Sequence, residues 1–429
     1  MILFSEKASL SGSVEIPGSK SHTIRALAIA TLAGGTSRIV APLDSADTRA
    51  CLGVCRALGA EITEEKEAWT VAGTAGKPKP AENVIDVANS GTTLFVALGM
   101  AALGEGWNVF TGDAQTRRRS AQPLLHSLEA LGAQAVSTRG NGCAPIIVRG
   151  PLVGGRTLIA CPTSQYLTSL LIAAPLAAED VHIVATELNE KPYVEMTLSW
   201  LDRQSITYTQ KDVVEVSIPG GQAYRAFTER IKADFSSATF FLCAAAITGS
   251  TLTLNGLDMG DSQGDKAVVE MLRGMGAEIE TLPGGLRIRG HELKGADIDL
   301  NATPDALPAM AVTGCFAEGT TRLLNVPQAR IKETDRIAVM RETIESLGGK
   351  AEELPDGLVV HGTGLRGGKT RGHGDHRVVM AAAVAGMASD RPVEVDTAEA
   401  AAVTFPDFAE LMRQCGAKIA TRGEAKTGV

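Results

Sequence analysis

The residues best placed to do chemistry in this chain stand at the predicted N-termini of apolar helices. They are Lys20, Arg25, Gln165 and Arg377. Ordinary capping can explain the Ser and Thr residues beside them but not these four, because Lys, Arg and Gln are not preferred caps and the three positive groups oppose the helix dipole. A bound anion would remove that conflict. The pattern therefore predicts an anionic ligand at these helix starts.

Two further segments add positive charge to a chain whose net charge is −8. Arg117–Arg119 are three consecutive arginines that follow a predicted strand, and such a run in an acidic protein indicates an anionic partner or a solvated loop. The stretch from Arg330 to Arg336 opens a predicted helix, where Lys332 and Arg336 share one face. Taken alone, this second segment is better explained as a charge ladder that keeps a helix soluble.

Several classes of function are disfavoured by composition and motifs. The acidic balance argues against a nucleic-acid partner, which usually requires a basic domain. Pro17–Ser21 lacks the spacing of a phosphate-binding P-loop, and neither HExxH nor GxSxG occurs. The seven cysteines form no metal-binding pattern and indicate buried thiols in a reducing compartment. No metal and no cofactor are expected.

An internal repeat determines how these residues must be positioned. An Ala/Leu-rich segment with a small or polar entry recurs six times at a spacing of about 71 residues. The copies begin at Lys20, Asn89, Thr163, Ser236, Pro304 and Asp375. A Gly-containing turn, as at Leu58–Ala60, recurs in phase with them, and only the third unit, near Asp202, lacks a clear copy.

Each repeat reads as an apolar helix, a strand, an amphipathic helix and two more strands. Six such units divide into two α/β domains of three units, because the apolar helices can be buried only against one another. The predicted domains are residues 14–229, and residues 1–13 together with 230–429. The helix N-termini then meet at one face of each domain, which favours anions.

Ten ordered motifs carry a resemblance that covers nearly the whole chain. They are PGSKSHTIRALAIATL, NSGTTL, TGDAQTRRR, TSQYLTSLLIAAPLA, EKPYVEMT, DFSSATFFLCAAAI, TPDALP, RIKETDRI, GDHRVVMAAAVAG and TFPDF. The chain is identified as a member of the 5-enolpyruvylshikimate-3-phosphate synthase family of enolpyruvyl transferases. The resemblance implies a two-domain inside-out α/β barrel built from six βαβαββ-type repeats, with the active site in the cleft between the domains.

The resemblance also implies a reaction and a site. Phosphoenolpyruvate would be condensed with the 5-hydroxyl of shikimate 3-phosphate, releasing phosphate, with Asp305, Glu333 and Lys20 as catalytic residues. The residues implied to bind phosphoenolpyruvate are Lys20, Asn89, Gly91, Thr92, Arg119, Gln165, Arg336 and Arg377. The residues implied to bind the acceptor are Lys20, Ser21, Arg25, Thr163, Ser164, Gln165, Asp305, Gln328 and Lys332.

Departures from the family pattern fall mainly on the acceptor residues. Phe95 stands where the family usually has Arg, and Glu190 where it commonly has a Ser that contacts the acceptor phosphate. Thr163 and Gln328 are milder changes, and Val403 replaces a Lys found in some members only. An enolpyruvyl transferase for another acceptor, unphosphorylated or aromatic, therefore stays open, as does a catalytically silent binding protein. The sister enzyme that uses UDP-N-acetylglucosamine fits less well, because its mobile loop carries a catalytic Cys.

The N-terminal residues lack the features of a signal peptide, and the longest apolar stretches, such as Leu167 to Ala178, are too short to span a membrane. We therefore expect a cytoplasmic monomer with small-molecule substrates and neither a nucleic-acid nor a membrane partner.

Overall fold

A computed structural model describes residues 1–423, which divide into two compact units. The first unit is Gly18–Ile231, and the second unit combines Met1–Pro17 with the described residues 232–423. The boundaries predicted from the sequence fall at residues 13/14 and 229/230. Each unit has its own hydrophobic core.

Among residues 1–423, six apolar helices form the centres of the two cores, three in each unit. They are Lys20–Leu32, Gly91–Ala101, Gln165–Ala173, Phe235–Thr248, Leu307–Cys315 and His376–Gly386. Nearly every residue in them is buried, because Ala and other small or aliphatic side chains let the helices pack on all sides. These are the six repeats expected from the sequence.

Six amphipathic helices alternate with the apolar ones. They are Ala46–Ala57, Gln122–Ala130, Lys191–Arg203, Ala267–Met275, Arg336–Ser346 and Phe408–Gln414. Five of them are followed by a glycine with positive φ, such as Gly59 at 101°. In the third repeat Ser205 takes this position at a φ of 57°, so the turn that the sequence pattern lacked is present without glycine.

The strands of the described residues form six four-stranded sheets, three in each unit. In the first unit one sheet has the spatial order Thr228–Arg230, Thr36–Val40, Ala68–Ala72 and Glu61–Glu65. The second sheet has the order Ile85–Asp86, Asn108–Thr111, Ile146–Arg149 and Gln134–Ser137. The third sheet has the order Gly155–Cys161, Val181–Leu188, Glu215–Ile218 and Thr209–Lys211. In the second unit one sheet has the spatial order Glu278–Leu282, Gly285–Arg289, Thr251–Asn255 and Ser13–Glu15. The second sheet has the order Asp297–Asp299, Thr320–Leu324, Gly357–His361 and Lys350–Leu354. The third sheet has the order Gly368–Thr370, Val393–Val395, Ile2–Glu6 and Lys418–Arg422.

Within each sheet one edge pair is parallel and the other pairs are antiparallel, as a βαβαββ order requires. The predicted α/β class with six repeats is confirmed. Three sheets are completed by strands from distant parts of the chain. Thr228–Arg230 pairs with Thr36–Val40, Ser13–Glu15 pairs with Thr251–Asn255, and Ile2–Glu6 pairs with Val393–Val395 and Lys418–Arg422. The last two sets of pairings explain why the first residues belong to the second unit.

Short 3-10 segments connect these elements near several predicted site residues. They include Thr116–Arg118, Pro304–Ala306 and Pro327–Ile331. Among residues 1–423, no helix has the length and apolar character needed to cross a membrane.

Candidate active site

The first apolar helix presents Lys20 at its N-terminus. Ser19 caps this helix by accepting from the backbone N–H of His22. The ammonium of Lys20 lies 3.1 Å from Oδ2 of Asp47, and the exposed fractions of the two side chains are 14% and 6%. Because Asp47 is in the first turn of the next helix, the pair joins two elements of the first repeat. Asp47 is a partner that the sequence analysis did not identify.

The second apolar helix brings Arg119 against its N-terminus. Gly91 is the first residue of this helix, and a Cβ placed there would lie 2.3 Å from Nη1 of Arg119. Any larger residue would therefore push the guanidinium away. Asn89, just before the helix, donates from Nδ2 to Asp113 at 2.6 Å and to Gln115 at 2.7 Å. The arginine and the helix N-terminus thus concentrate positive charge at one point.

A hydrogen bond links the second helix start to the third. Nε2 of Gln165 donates to Oγ1 of Thr92 at 3.1 Å. Both residues are in the first turn of their helices, Thr92 after Gly91 and Gln165 as the first residue of Gln165–Ala173. The structure therefore brings together Gly91, Thr92, Arg119 and Gln165, which the sequence analysis had assigned to phosphoenolpyruvate.

The third helix start holds an internal anion. Oε2 of Glu190 accepts from the backbone N–H of Ser164 at 3.1 Å, from Oγ of Ser164 at 2.7 Å and from Oγ1 of Thr163 at 3.2 Å. Glu190 is 2% exposed and adopts a left-handed φ of 59°, which costs a non-glycine residue about 1–2 kcal/mol. Thr163 and Ser164, both predicted to bind the acceptor, thus contact a carboxylate of the protein itself.

Arg25 is a buried cation whose contacts within residues 1–423 are all neutral oxygens. Its guanidinium donates to Oγ1 of Thr197 and Thr168 and to the carbonyls of Ser21 and Tyr193, at 2.9–3.2 Å. Burial lowers the pKa of Arg25 to about 10, because the loss of water around the charged group outweighs the opposing interaction with Tyr193. The predicted acceptor residues Ser21 and Arg25 are therefore in direct contact.

The second unit gathers three carboxylates around Arg336. Nη1 of this arginine donates to Asp305 at 2.7 Å, and Nη2 donates to Glu333 at 2.6 Å. Asp375 accepts from Nε at 2.9 Å and from Nη2 at 3.1 Å. Burial alone would lower the pKa of Arg336, but the three carboxylates outweigh it and raise that pKa above its usual value. One arginine thus holds both predicted catalytic carboxylates.

Arg377 completes this cluster from the start of the last apolar helix. Its Nη2 lies 2.8 Å from Oδ2 of Asp305, so Asp305 contacts two arginines. Asp375 caps the same helix by accepting from the backbone N–H of Arg377 at 2.9 Å, and it also accepts from the Thr334 hydroxyl at 2.9 Å. The sequence analysis missed Asp375 as a partner of Arg336, because a capping role explained it fully.

The pKa values of the two residues at this helix start are both lowered. Burial would raise the pKa of Asp375, but the charge of Arg336 outweighs it and holds the pKa below the usual range. Burial lowers the pKa of His376 to about 3, so its imidazole is neutral at physiological pH. Neither ring nitrogen of His376 has a hydrogen-bond partner among residues 1–423.

The remaining predicted acceptor residues of the second unit lie on or beside the Pro327–Ile331 segment. Gln328 is buried and donates from Nε2 to the carbonyl of Asn301 at 2.9 Å. Lys332 is half-buried and directly precedes Glu333. The segment therefore places Lys332 beside a residue of the Arg336 cluster.

The departure at Phe95 is buried in the core of the first unit. Phe95 is 3% exposed, and its ring meets Tyr166 edge-on with 4.9 Å between the centroids. An apolar contact therefore takes the position where the family usually has a cation. Val403 is the last residue of the 3-10 segment Ala398–Val403 and is half-buried.

The second-unit cluster is suited to proton transfer. Asp305 and Glu333 keep partial access to solvent, with exposed fractions of 20% and 11%, while Arg336 is 1% exposed. A buried arginine fixes the position of both carboxyl groups, and a positioned carboxyl group can accept or deliver a proton. Among residues 1–423, no group of three or more His, Cys, Asp or Glu side chains is arranged to hold a metal ion.

Comparison with known proteins gives the family. The family model for EPSP synthase (3-phosphoshikimate 1-carboxyvinyltransferase) matches residues 5–412. The chain belongs to this family. It is 54% identical to the 3-phosphoshikimate 1-carboxyvinyltransferase of Acetivibrio thermocellus over 421 residues, which cover 98% of this chain and 100% of that protein. The resemblance stated from the motifs is confirmed.

Other EPSP synthases are similar over the same length. The 3-phosphoshikimate 1-carboxyvinyltransferase of Ruminiclostridium cellulolyticum is 51% identical, with 98% of this chain and 99% of that protein covered. The solved structure of EPSP synthase from Acinetobacter baumannii superposes with a TM-score of 0.83 at 25% identity, covering 98% of this chain and 100% of that one. Sequence and fold thus agree on the EPSP synthase family.

Proposed function

We propose that this EPSP synthase family member transfers the enolpyruvyl group of phosphoenolpyruvate to the 5-hydroxyl of shikimate 3-phosphate and releases phosphate. The observation that carries the proposal is Arg336, which holds Asp305 and Glu333 beside Arg377. Relatives that align over 98% of the chain are named for this reaction. This places the protein among transferases of the shikimate pathway, which leads to aromatic amino acids.

Two carboxylates are sufficient for the proton transfers. Glu333 delivers a proton to the methylene carbon of phosphoenolpyruvate, and Asp305 accepts the proton of the 5-hydroxyl as its oxygen bonds to the neighbouring carbon. The resulting tetrahedral adduct then loses phosphate, which takes up the proton held by Asp305, and Glu333 takes a proton back from the methyl group to restore the double bond. Because Arg336 contacts both carboxylates, it fixes their positions for these steps.

Cations and helix N-termini hold the anionic substrates in this proposal. Arg119, Lys20, Arg336 and Arg377 bind the phosphate and carboxylate of phosphoenolpyruvate, helped by Asn89, Gly91, Thr92 and Gln165. The acceptor is bound by Ser21, Arg25, Thr163, Ser164, Gln328 and Lys332, with Lys20, Gln165 and Asp305 shared. The contact between Gly91 and Arg119 supports the first set, and the Arg25–Ser21 contact supports the second.

Two observations favour a second candidate, an enolpyruvyl transferase for an unphosphorylated or aromatic acceptor. The Glu190 carboxylate occupies donors of Thr163 and Ser164 that an acceptor phosphate would otherwise use. Phe95 adds no cation where the family usually has one.

Phosphate release from phosphoenolpyruvate tests these candidates. We would compare shikimate 3-phosphate, shikimate and UDP-N-acetylglucosamine as acceptors, with Asp305→Asn as a control for contaminating activity. Turnover that depends on shikimate 3-phosphate and is lost in the control supports the main proposal. Turnover with shikimate alone would support the second candidate, and no turnover with any acceptor would indicate a binding protein.

We also infer that the protein acts as a cytoplasmic monomer without a nucleic-acid partner. Each unit buries its own core, and the net charge of −8 disfavours binding to phosphate backbones. Light scattering should give a mass near 44.7 kDa, and a mass of twice that value would contradict the inference.

A further inference from the structure

The Glu190 carboxylate has contacts that an anionic ligand would make. It receives three hydrogen bonds from two residues at the start of the Gln165–Ala173 helix, two from Ser164 and one from Thr163. The helix N-terminus adds its partial positive charge, and with an exposed fraction of 2% the carboxylate is shielded from water. An anion bound in this way excludes a second anion from the same donors.

We infer that Glu190 is a specificity-determining residue that competes with the acceptor phosphate for Thr163 and Ser164. The inference rests on the proposed function, because it takes these two residues as part of the acceptor subsite. A phosphorylated acceptor can use them only after the carboxylate has moved away, and a negative charge then stays close to the phosphate. Such an internal competitor weakens phosphorylated acceptors and leaves uncharged ones unaffected.

Arg25 provides an independent reason to expect an anion in this unit. It is a buried cation, and its guanidinium contacts are the neutral oxygens of Thr197, Thr168, Ser21 and Tyr193. Tyr193 is three residues after Glu190, yet the carboxylate is directed to Ser164 and not to this guanidinium. The protein thus places its own anion on the hydroxyl groups and leaves the neighbouring cation with neutral partners.

Two substitutions separate the charge of Glu190 from its structural role. Glu190→Gln keeps the shape and an accepting oxygen but removes the charge. Glu190→Gly removes the side chain and suits the left-handed φ of 59°, so it protects folding. Glu187→Gln is the matched control, because Glu187 is an exposed carboxylate near the end of the preceding strand, Val181–Leu188, and accepts from Nδ2 of Asn189 at 3.4 Å.

The experiment measures the Michaelis constants for both substrates in each variant. We expect both Glu190 variants to lower the constant for shikimate 3-phosphate about tenfold or more, since like charges in a binding site are strongly unfavourable. The constant for phosphoenolpyruvate should stay within about twofold, and Glu187→Gln should match the wild type. A merely structural role would not separate the two substrates in this way.

Three results would overturn the inference. The Michaelis constant for shikimate 3-phosphate could stay unchanged in the Glu190 variants, or it could rise. It could also fall in Glu190→Gly alone, which would indicate an effect of side-chain bulk and not of charge. If the wild type shows no turnover, the proposed function fails. Calorimetric titration with shikimate 3-phosphate then still decides the role of Glu190. Tighter binding by Glu190→Gln than by the wild type, with unphosphorylated shikimate unaffected, supports the inference, and equal or absent binding overturns it.

Discussion

Replacement of Asp375 by Asn should be among the most destabilising single-charge changes in the second unit. Asp375 is 0% exposed and accepts two hydrogen bonds from Arg336, one from Thr334 and one from the backbone of Arg377. Asn retains one accepting oxygen and caps helices well, so the cap survives. The NH2 group, however, would face the donors of Arg336, and the buried ion pair would be lost.

The size of the effect follows from burial. Breaking a buried ion pair by removing one partner costs about 3–5 kcal/mol, and we expect the lower end because Asp305 and Glu333 still contact Arg336. Asp335→Asn is the matched control. Asp335 also caps a helix and pairs with an arginine, Arg330, but it is 38% exposed. That change should cost at most about 1 kcal/mol.

Urea unfolding provides the measurement. All three tryptophans, Trp69, Trp107 and Trp200, lie in the first unit, so fluorescence follows that unit while far-UV circular dichroism follows both. With a denaturant slope of about 2–3 kcal/mol/M, Asp375→Asn should lower the circular-dichroism midpoint by about 1 M. Equal midpoints for Asp375→Asn and Asp335→Asn would refute the reasoning from burial.

The same pair predicts a pH dependence. Because Arg336 holds the pKa of Asp375 below its unfolded value of about 3.9, the ionised carboxylate stabilises the fold above that pH. This stabilisation is lost as the pH falls through the pKa that Asp375 has in the folded state. The difference in the free energy of unfolding between the wild type and Asp375→Asn should therefore be largest at neutral pH and decrease below about pH 4. A difference that grew on acidification would contradict the assignment.

Four further outcomes are expected. Asp305→Asn should lower kcat by about 10²–10⁴-fold while calorimetry still detects both substrates, and near-wild-type turnover would remove Asp305 from proton transfer. Arg119→Ala should raise the Michaelis constant for phosphoenolpyruvate more than that for the acceptor, and the reverse would mean that the two subsites are exchanged. Ser205→Gly should stabilise the first unit by about 1 kcal/mol in urea unfolding, because it relieves a left-handed φ of 57°, and a loss of stability would argue against that strain. The pKa of His376 in the folded state is about 3. As the pH falls below about 6.5, the unfolded state therefore binds a proton at this side chain before the folded state does, and the free energy of unfolding should decline by up to ~1.4 kcal/mol per pH unit. The same dependence of the free energy of unfolding on pH in His376→Gln would contradict this.

The sequence was informative where a repeat or a charge stood out against its surroundings. The six apolar segments predicted the central helices, because small aliphatic residues in a 71-residue pattern leave few other folds. Cations at helix starts, such as Lys20 and Arg377, pointed to anions because they oppose the dipole. The roles of Asp305 and Glu333 depended on the family resemblance, since nothing in their local spacing requires catalysis.

Contacts between distant segments could not be predicted. Asp375 had a sufficient local explanation as a helix cap, so its bond to Arg336, 39 positions away, gave no sequence signal. Glu190 was identified in the sequence as a departure from the family pattern, but its bonds to Thr163 and Ser164 depend on how a left-handed residue directs its side chain. The turn at Ser205 was missed because only glycine marks such positions in sequence.

The structure of the product formed from phosphoenolpyruvate and shikimate 3-phosphate tests the proposed reaction most directly. Nuclear magnetic resonance of the reaction mixture should show an enolpyruvyl ether on the 5-oxygen of shikimate 3-phosphate, together with one equivalent of inorganic phosphate. Unchanged phosphoenolpyruvate under these conditions, or an enolpyruvyl group formed only on an unphosphorylated acceptor, would contradict the proposed transfer.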